Sequence, residues 1–225
     1  MDEVRLIEVK EDILSDNKKV AAELRARLVE KKTFLLNLMS SPGAGKTTLI
    51  LKTIEALRKD YTIGVIEADI DSSVDAEKVA AQGIKAVQLR TGGFCHLDAS
   101  MVNRGLDAMN LDAFDILIIE NVGNLVCPAE FDTGAIKNAM ILSVPEGDDK
   151  PLKYPLMFTV CDALVVNKID YLGLSDFNVA AMKDRVLALN PNIQLFEVSS
   201  KTGQGVEAWA EWLTNEFLEF SKTAR

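Results

Sequence analysis

Histidine occurs once in this 225-residue chain, at position 96, and cysteine three times, at 95, 127 and 161. So few soft donors exclude a high-capacity metal store. An odd number of cysteines without a secretion signal argues against a disulfide framework. Any apolar run near the roughly 20 residues of a membrane span is also missing. The opening MDEVRLIEVKEDIL has no apolar signal core, so a cytoplasmic protein with no membrane partner is expected. Basic residues are in deficit: 25 Lys and Arg face 34 Asp and Glu, a formal charge of −9. That leaves no cationic excess for nucleic-acid phosphates. No repeat, low-complexity tract or long linker interrupts the chain. What is there, 48% hydrophobic and 26% charged residues, is an ordinary globular composition sufficient for one core.

Hydrophobic periodicity switches repeatedly between the strand and helix values. Asn17–Lys31 has helical spacing of Val20, Ala21, Leu24, Leu28 and Val29. Strands are expected at Phe34–Met39, Thr62–Glu67, Lys85–Leu89, Ile116–Ile119, Met140–Val144, Ala163–Val166 and Ile193–Val198. Between them the pattern predicts helices near Lys46–Arg58, Asp75–Gln82, Asp98–Met109, Asp176–Leu189 and Gly205–Phe220, with Pro145–Pro155 as a long surface loop. This alternation predicts an α/β fold, a mostly parallel sheet flanked by helices. One domain is expected over residues 1–225, with residues 1–31 as a short helical extension.

The stretch SSPGAGKTT, Ser40–Thr48, follows the first strand and opens a helix. Backbone N–H groups in such a P-loop curl around phosphate where the helix dipole favours negative charge. Pro42, Gly43, Ala44, Gly45, Lys46, Thr47 and Thr48 form the candidate cradle. Lys46 would reach the β- and γ-phosphates, and the Thr47 hydroxyl would ligate Mg²⁺. Ser40 stands where the pattern has its first glycine, at a strand exit that a small residue can occupy. Downstream, Asn167-Lys168-Ile169-Asp170 is the N-K-x-D guanine-reading motif. The Asp170 carboxylate accepts from guanine N1–H and N2, which adenine does not offer. Asn167 supports the loop, the Lys168 stem lies over the base, and Ser199-Ser200-Lys201 fits the third guanine loop. Glu120, at a strand tip before Asn121-Val122-Gly123, is a candidate for the magnesium sphere. Asp69 and Asp75 are read either as further Mg²⁺ carboxylates or as helix caps. Lys46, Asp69, Asp75 and Glu120 are the candidate catalytic group.

Cys95 and His96 are adjacent in TGGFCHLD, and Cys127 lies in NVGNLVCPAEF just past the Glu120 strand. Thiolate and imidazole suit Zn²⁺ or Ni²⁺. Spacing alone leaves this open against a buried cysteine and a helix-capping loop. One chain is one donor short of a closed four-coordinate site, and a two-fold contact would supply the rest. Cys161 is read as structural.

Together SSPGAGKTT, EADIDSSVDAEK, TGGFCHLDA, ENVGNLVCP, EGDDKPLKYP and NKID resemble the HypB family of hydrogenase nickel-incorporation GTPases along nearly the whole chain. That family lies in the SIMIBI class of P-loop GTPases and is related to UreG. The resemblance implies a GTP-using metallochaperone for [NiFe]-hydrogenase assembly, with GTP/GDP, Mg²⁺, and Ni²⁺ or Zn²⁺ bound. It further implies a GTP-promoted homodimer whose metal site is built from Cys95, His96 and Cys127 near the nucleotide. The implied partners are a HypA-type nickel accessory protein and, indirectly, the hydrogenase large subunit. The family's N-terminal cysteine motif and histidine-rich store have no counterpart, because the segment before Phe34 holds neither residue type. Slow hydrolysis is expected, since no arginine finger or water-positioning glutamine stands out.

Overall fold

Runs of β-branched and aliphatic residues with no polar alternation bury both faces of a strand, which requires cover above and below the sheet. Phe34–Ser40 (β1, FLLNLMS) is apolar but for Asn37 and Ser40 and is buried at every position. In the computed structural model, residues 9–69 and 74–224 are described, with side chains from residue 14 onward. Among the described residues, β1 is joined in one sheet by β2 (Ile63–Asp69), β3 (Ala86–Arg90), β4 (Ile116–Glu120), β5 (Lys137–Ser143), β6 (Ala163–Asn167) and β7 (Gln194–Val198). The order is β3-β2-β4-β1-β5-β6-β7, and every pairing is parallel. With β1 central, the loops leaving the carboxyl ends of its neighbours converge on one crevice, the usual ligand position in open α/β sheets.

The helices are α1 (Val9–Lys31), α2 (Lys46–Leu57), α3 (Val74–Ala80), α4 (Ala99–Asp107), α8 (Val179–Leu189) and α9 (Val206–Thr223), with three short ones between them: α5 (Cys127–Glu130), α6 (Lys150–Lys153) and α7 (Pro155–Val160). One apolar layer joins α2 and α9 to the sheet through Leu49, Ile54, Trp209, Leu213 and Phe217. Within it the indole N–H of Trp209 donates to Thr53 Oγ1 at 2.9 Å, so the buried polar end of the ring has its partner. The opposite layer packs α1 and α4 on β1, β2 and β4 through Leu24, Leu28, Leu35, Val102 and Leu106.

Three expectations need correction. The helix expected from Asn17 begins at Val9, so Asn17 is an interior residue of α1. The expected loop Pro145–Pro155 instead contains a 3-10 turn, Val144–Glu146, and α6, and Pro155 opens α7. Each has proline at a first-turn position, where the missing N–H costs nothing. Cys127 stands at the start of the one-turn α5, with Pro128 behind it, rather than in open loop. Cys161 is buried among Met157, Phe158 and Leu164, and burial pushes its thiol pKa far up, as for an inert structural cysteine. The N-terminal segment 1–8 and residues 70–73 of the EADIDSSVDAEK stretch lie outside the described residues.

Candidate functional site

The P-loop geometry explains which glycines the sequence requires. Gly43 (φ +74°) and Gly45 (φ +103°) lie in the left-handed region, and a Cβ on Gly45 would stand 2.6 Å from Asn167 Nδ2. Ser40 needs no such freedom: it ends β1 in extended backbone, fully buried, and its hydroxyl accepts from Lys46 Nζ at 3.1 Å. The missing first glycine is therefore no defect in the cradle. Ser41 hydrogen-bonds Glu146, which Ser143 holds in a capping box.

The two loops expected to read guanine meet the P-loop directly. Asn167 Nδ2 donates to Ala44 O (2.9 Å), while its Oδ1 accepts from Ser200 N (3.1 Å) and Oγ (2.9 Å). Lys168, in the left-handed conformation at φ +61°, donates from Nζ to Gly43 O at 2.7 Å. Asp170, exposed at the rim, accepts from Ser199 Oγ at 2.7 Å. Lys201 and Thr48 are exposed and make no such tie to the cradle.

Beside the P-loop opens a pocket of about 260 Å³, lined by Lys46, Glu67, Asp69, Asp75, Glu120 and Gly123 among others. Thr47 Oγ1 donates to Glu120 Oε1 at 2.9 Å. Glu67 escaped the sequence reading. It lies inside β2, two residues before Asp69, and parallel register sets it beside Glu120. Burial first, then the Glu120 charge, raises its pKa to about 10. Burial also raises Glu120, against the pull of Lys46. Glu67 Oε1 and Glu120 Oε2 are fully buried without a protein partner. A hard-oxygen donor set of this kind, next to Thr47, fits Mg²⁺. Asp69 and Asp75 line the same pocket; the Asp75 carboxylate is already held by Lys78 at 2.7 Å in the first turn of α3. An acid inside an otherwise apolar strand was the one available signal for Glu67.

Past Glu120 the chain runs through Gly123 to the second donor cluster. A Cβ on Gly123 would meet Pro42 Cα and N at 3.0 Å, so this segment lies against the P-loop backbone. Cys95 Sγ and Cys127 Sγ stand 2.9 Å apart, and Cys95 Sγ lies 3.9 Å from His96 Nδ1. All three donor atoms fall within 4.8 Å of one another. Burial lowers the His96 pKa against the pull of Asp98 and Glu130; the hydrogen bond with Cys95, then burial, raises that of Cys127. The His96 ring stacks on Phe131, centroids 3.8 Å apart. Asn121 joins the two clusters. Its Oδ1 accepts from Leu97 N (3.3 Å), next to His96, and its Nδ2 donates to Asn37 Oδ1 (3.0 Å) in β1.

This chain matches the CobW/HypB/UreG nucleotide-binding domain over residues 34–197. It is 46% identical over 212 residues to the hydrogenase maturation factor HypB of Azotobacter chroococcum mcd 1, covering 94% of this chain and 70% of that protein. The hydrogenase/urease maturation factor HypB of Helicobacter pylori J99 is 41% identical, over 95% of this chain and 89% of that protein. Among solved structures, HypB from Helicobacter pylori in complex with nickel superposes with TM-score 0.87 at 40% identity, covering 91% of this chain and 96% of that one. The hydrogenase maturation factor HypB of Archaeoglobus fulgidus gives 0.85, also at 40% identity, over 91% and 100%. At 12% identity and TM-score 0.57, the signal recognition particle 54 kDa protein of Aeropyrum pernix K1 shares the fold alone. With a family match across most of the chain and relatives above 40% identity, this protein belongs to the CobW/HypB/UreG family of nucleotide-binding proteins.

Proposed function

We propose that this chain is a GTP-hydrolysing metallochaperone that binds nickel, with zinc as a competitor, and assists nickel insertion during hydrogenase maturation. The observation that carries this reading is the junction at Gly123: one segment lies on the P-loop at Pro42 and ends, at Cys127, in a thiolate–imidazole cluster. The names of the relatives, hydrogenase maturation factors, point to the client. The whole described chain acts as a single GTPase domain with α1 as its extension.

In this mechanism Asp170 selects guanine, the P-loop amides and Lys46 hold the phosphates, and Thr47, Glu67 and Glu120 would hold Mg²⁺, which would supply neutralisation of phosphate charge. Asp69 and Asp75 are the further acids of this pocket. Hydrolysis is slow and works as a switch: the γ-phosphate draws in the Gly123 segment, and its loss frees Cys127. Nucleotide and metal then affect each other's affinity by the same factor. A GTP-promoted homodimer would bring two Cys95/His96/Cys127 sets together. Exposed Phe94 and Val126, beside the donors, favour such a contact. A HypA-type accessory protein delivers or receives the metal, and the hydrogenase large subunit is the indirect recipient. The Helicobacter pylori relative is named for urease as well, so a second nickel enzyme as client is the alternative reading. Loss of hydrogenase nickel loading in cells lacking this protein separates the two.

The test is a Ni²⁺ titration of the full chain with and without a non-hydrolysable GTP analogue. Cys127→Ala is expected to weaken Ni²⁺ by more than about tenfold, since losing even a partner that orients a ligand costs that much, while GTP hydrolysis persists. Unaltered Ni²⁺ affinity in that variant removes the metal assignment.

A further inference from the structure

Helix α1 reaches the metal-bearing face through one buried side chain. Asn17 Nδ2 donates to the carbonyl of Asp132 at 2.8 Å, and its Oδ1 accepts from the N–H of Ala99 at 2.9 Å. Those two backbone groups belong to the two segments that carry the donors. Ala99 opens α4 directly after the Cys95–His96 loop, and its N–H is a first-turn donor with no partner inside the helix. Asp132 follows Phe131, whose ring stacks on His96, and that stretch leaves α5, which begins at Cys127.

We infer that Asn17 is a positioning residue for the thiolate–imidazole site, tying the Cys95–His96 loop to the Cys127 segment so that the three donors stay together. The inference rests on the metal reading proposed above. A four-coordinate ion, tetrahedral Zn²⁺ or square-planar Ni²⁺, with bonds of roughly 2.0–2.3 Å needs neighbouring donors about 3–3.5 Å apart, so the two segments have to be held to within an ångström. A primary amide suits the task, because one end donates and the other accepts. The neighbouring Arg25 reinforces one side of the tie, donating from Nη1 and Nη2 to the Asp132 carboxylate at 2.9 and 2.5 Å and from Nε to Ala135 O at 3.0 Å. Asn121 reaches the same loop at Leu97 from the nucleotide side. Asn17 touches both donor-bearing segments and nothing of the nucleotide pocket.

A second residue of α1 provides the control. Arg27 docks the helix on α4 through Asn103 and Asp107 at 2.8 and 2.6 Å, away from the donors. Ni²⁺ affinity is measured by chelator competition on the full chain, alongside thermal unfolding. Asn17→Ala is expected to lower Ni²⁺ affinity roughly 10- to 100-fold, the usual effect of losing a residue that orients metal ligands. Asn17→Asp keeps the acceptor for Ala99 N–H but sets a carboxylate oxygen against Asp132 O, so a loss of Ni²⁺ affinity is again expected; Asn17→Ser, which is small and keeps a hydroxyl, serves as the test should neither of these variants fold. Arg27→Ala is expected to loosen α1 without changing Ni²⁺ affinity. Unchanged affinity in every Asn17 variant that folds, or an equal loss in Arg27→Ala, overturns the inference. A wild-type chain that takes up no stoichiometric Ni²⁺ overturns the metal reading itself, before any variant is compared.

Discussion

Glu67 and Glu120 face one pocket from neighbouring parallel strands, and a single proton separates two states of that pair. With its pKa raised from 4.5 to about 10 by burial and by Glu120, Glu67 is protonated at neutral pH in the metal-free protein. The unfolded chain would release that proton above about pH 4.5. Its contribution to stability is therefore complete below that value and is lost as pH climbs towards 10. A divalent cation reverses the preference, since ligands must be deprotonated. Mg²⁺–nucleotide binding near neutral pH is accordingly expected to release about one proton, and Glu67→Gln to abolish that release. Calorimetry in buffers of different ionisation enthalpy counts the protons; the same count in the variant would remove Glu67 from the site. This residue also marks where sequence reading stops. SSPGAGKTT and NKID announce themselves by residue type in a fixed order. Glu67 shows in the sequence only as an acid in a mostly apolar strand, and its place becomes clear when register puts it beside Glu120; Asn17 becomes visible only when tertiary folding brings α1 over two distant segments.

Among the elements, the strands were legible as short apolar runs bounded by polar residues, and the long helices by their apolar period. Boundaries shifted by a few residues, and β5 runs Lys137–Ser143 rather than Met140–Val144, because sheet hydrogen bonds extend past the apolar centre. The short helices α5, α6 and α7 were not legible: one turn has no period, and their prolines read as loop although proline is at home in a first turn. The segment from Glu120 to Cys127 runs from the P-loop pocket to the Cys–His cluster, and its fit against the P-loop is tight. Gly123 is not in a left-handed conformation, so the barrier to a side chain there is space alone, 3.0 Å from Pro42. Gly123→Ala is expected to push this segment off the P-loop by a few tenths of an ångström and to slow GTP hydrolysis roughly tenfold, short of the about 100-fold that a 1 Å misplacement can cause. Nucleotide-free Ni²⁺ affinity is expected to hold, because Asn17 and Asn121 still fix the donors. Steady-state hydrolysis at wild-type rate in this variant would show that the contact with Pro42 is not part of the switch.

For the whole molecule the decisive quantity is the number of donors per chain. Cys95, His96 and Cys127 are the only three His, Cys, Asp or Glu residues among the described ones that gather their ligand atoms in this way. Three donors leave a tetrahedral ion one short, which makes a metal on one chain open to a fourth ligand. A two-fold contact repeats every ligand, so a dimer offers six donors around one axis and can close a site with four of them. In the proposed dimer, closure would tie three equilibria together: whatever factor the dimer added to metal affinity, the metal would add to dimer affinity, and the nucleotide would bias both. GTP hydrolysis would then open the site to a three-donor state, which binds nickel more weakly and can pass it on. The expected stoichiometry is one Ni²⁺ per two chains with the GTP analogue bound. With GDP the ion should be held by monomers, or lost at the same free-metal concentration. Native mass spectrometry and sedimentation at graded Ni²⁺ distinguish these outcomes. One Ni²⁺ per chain in the GTP-analogue state, with dimer affinity indifferent to the metal, would mean that each chain completes its site alone and that release needs another trigger.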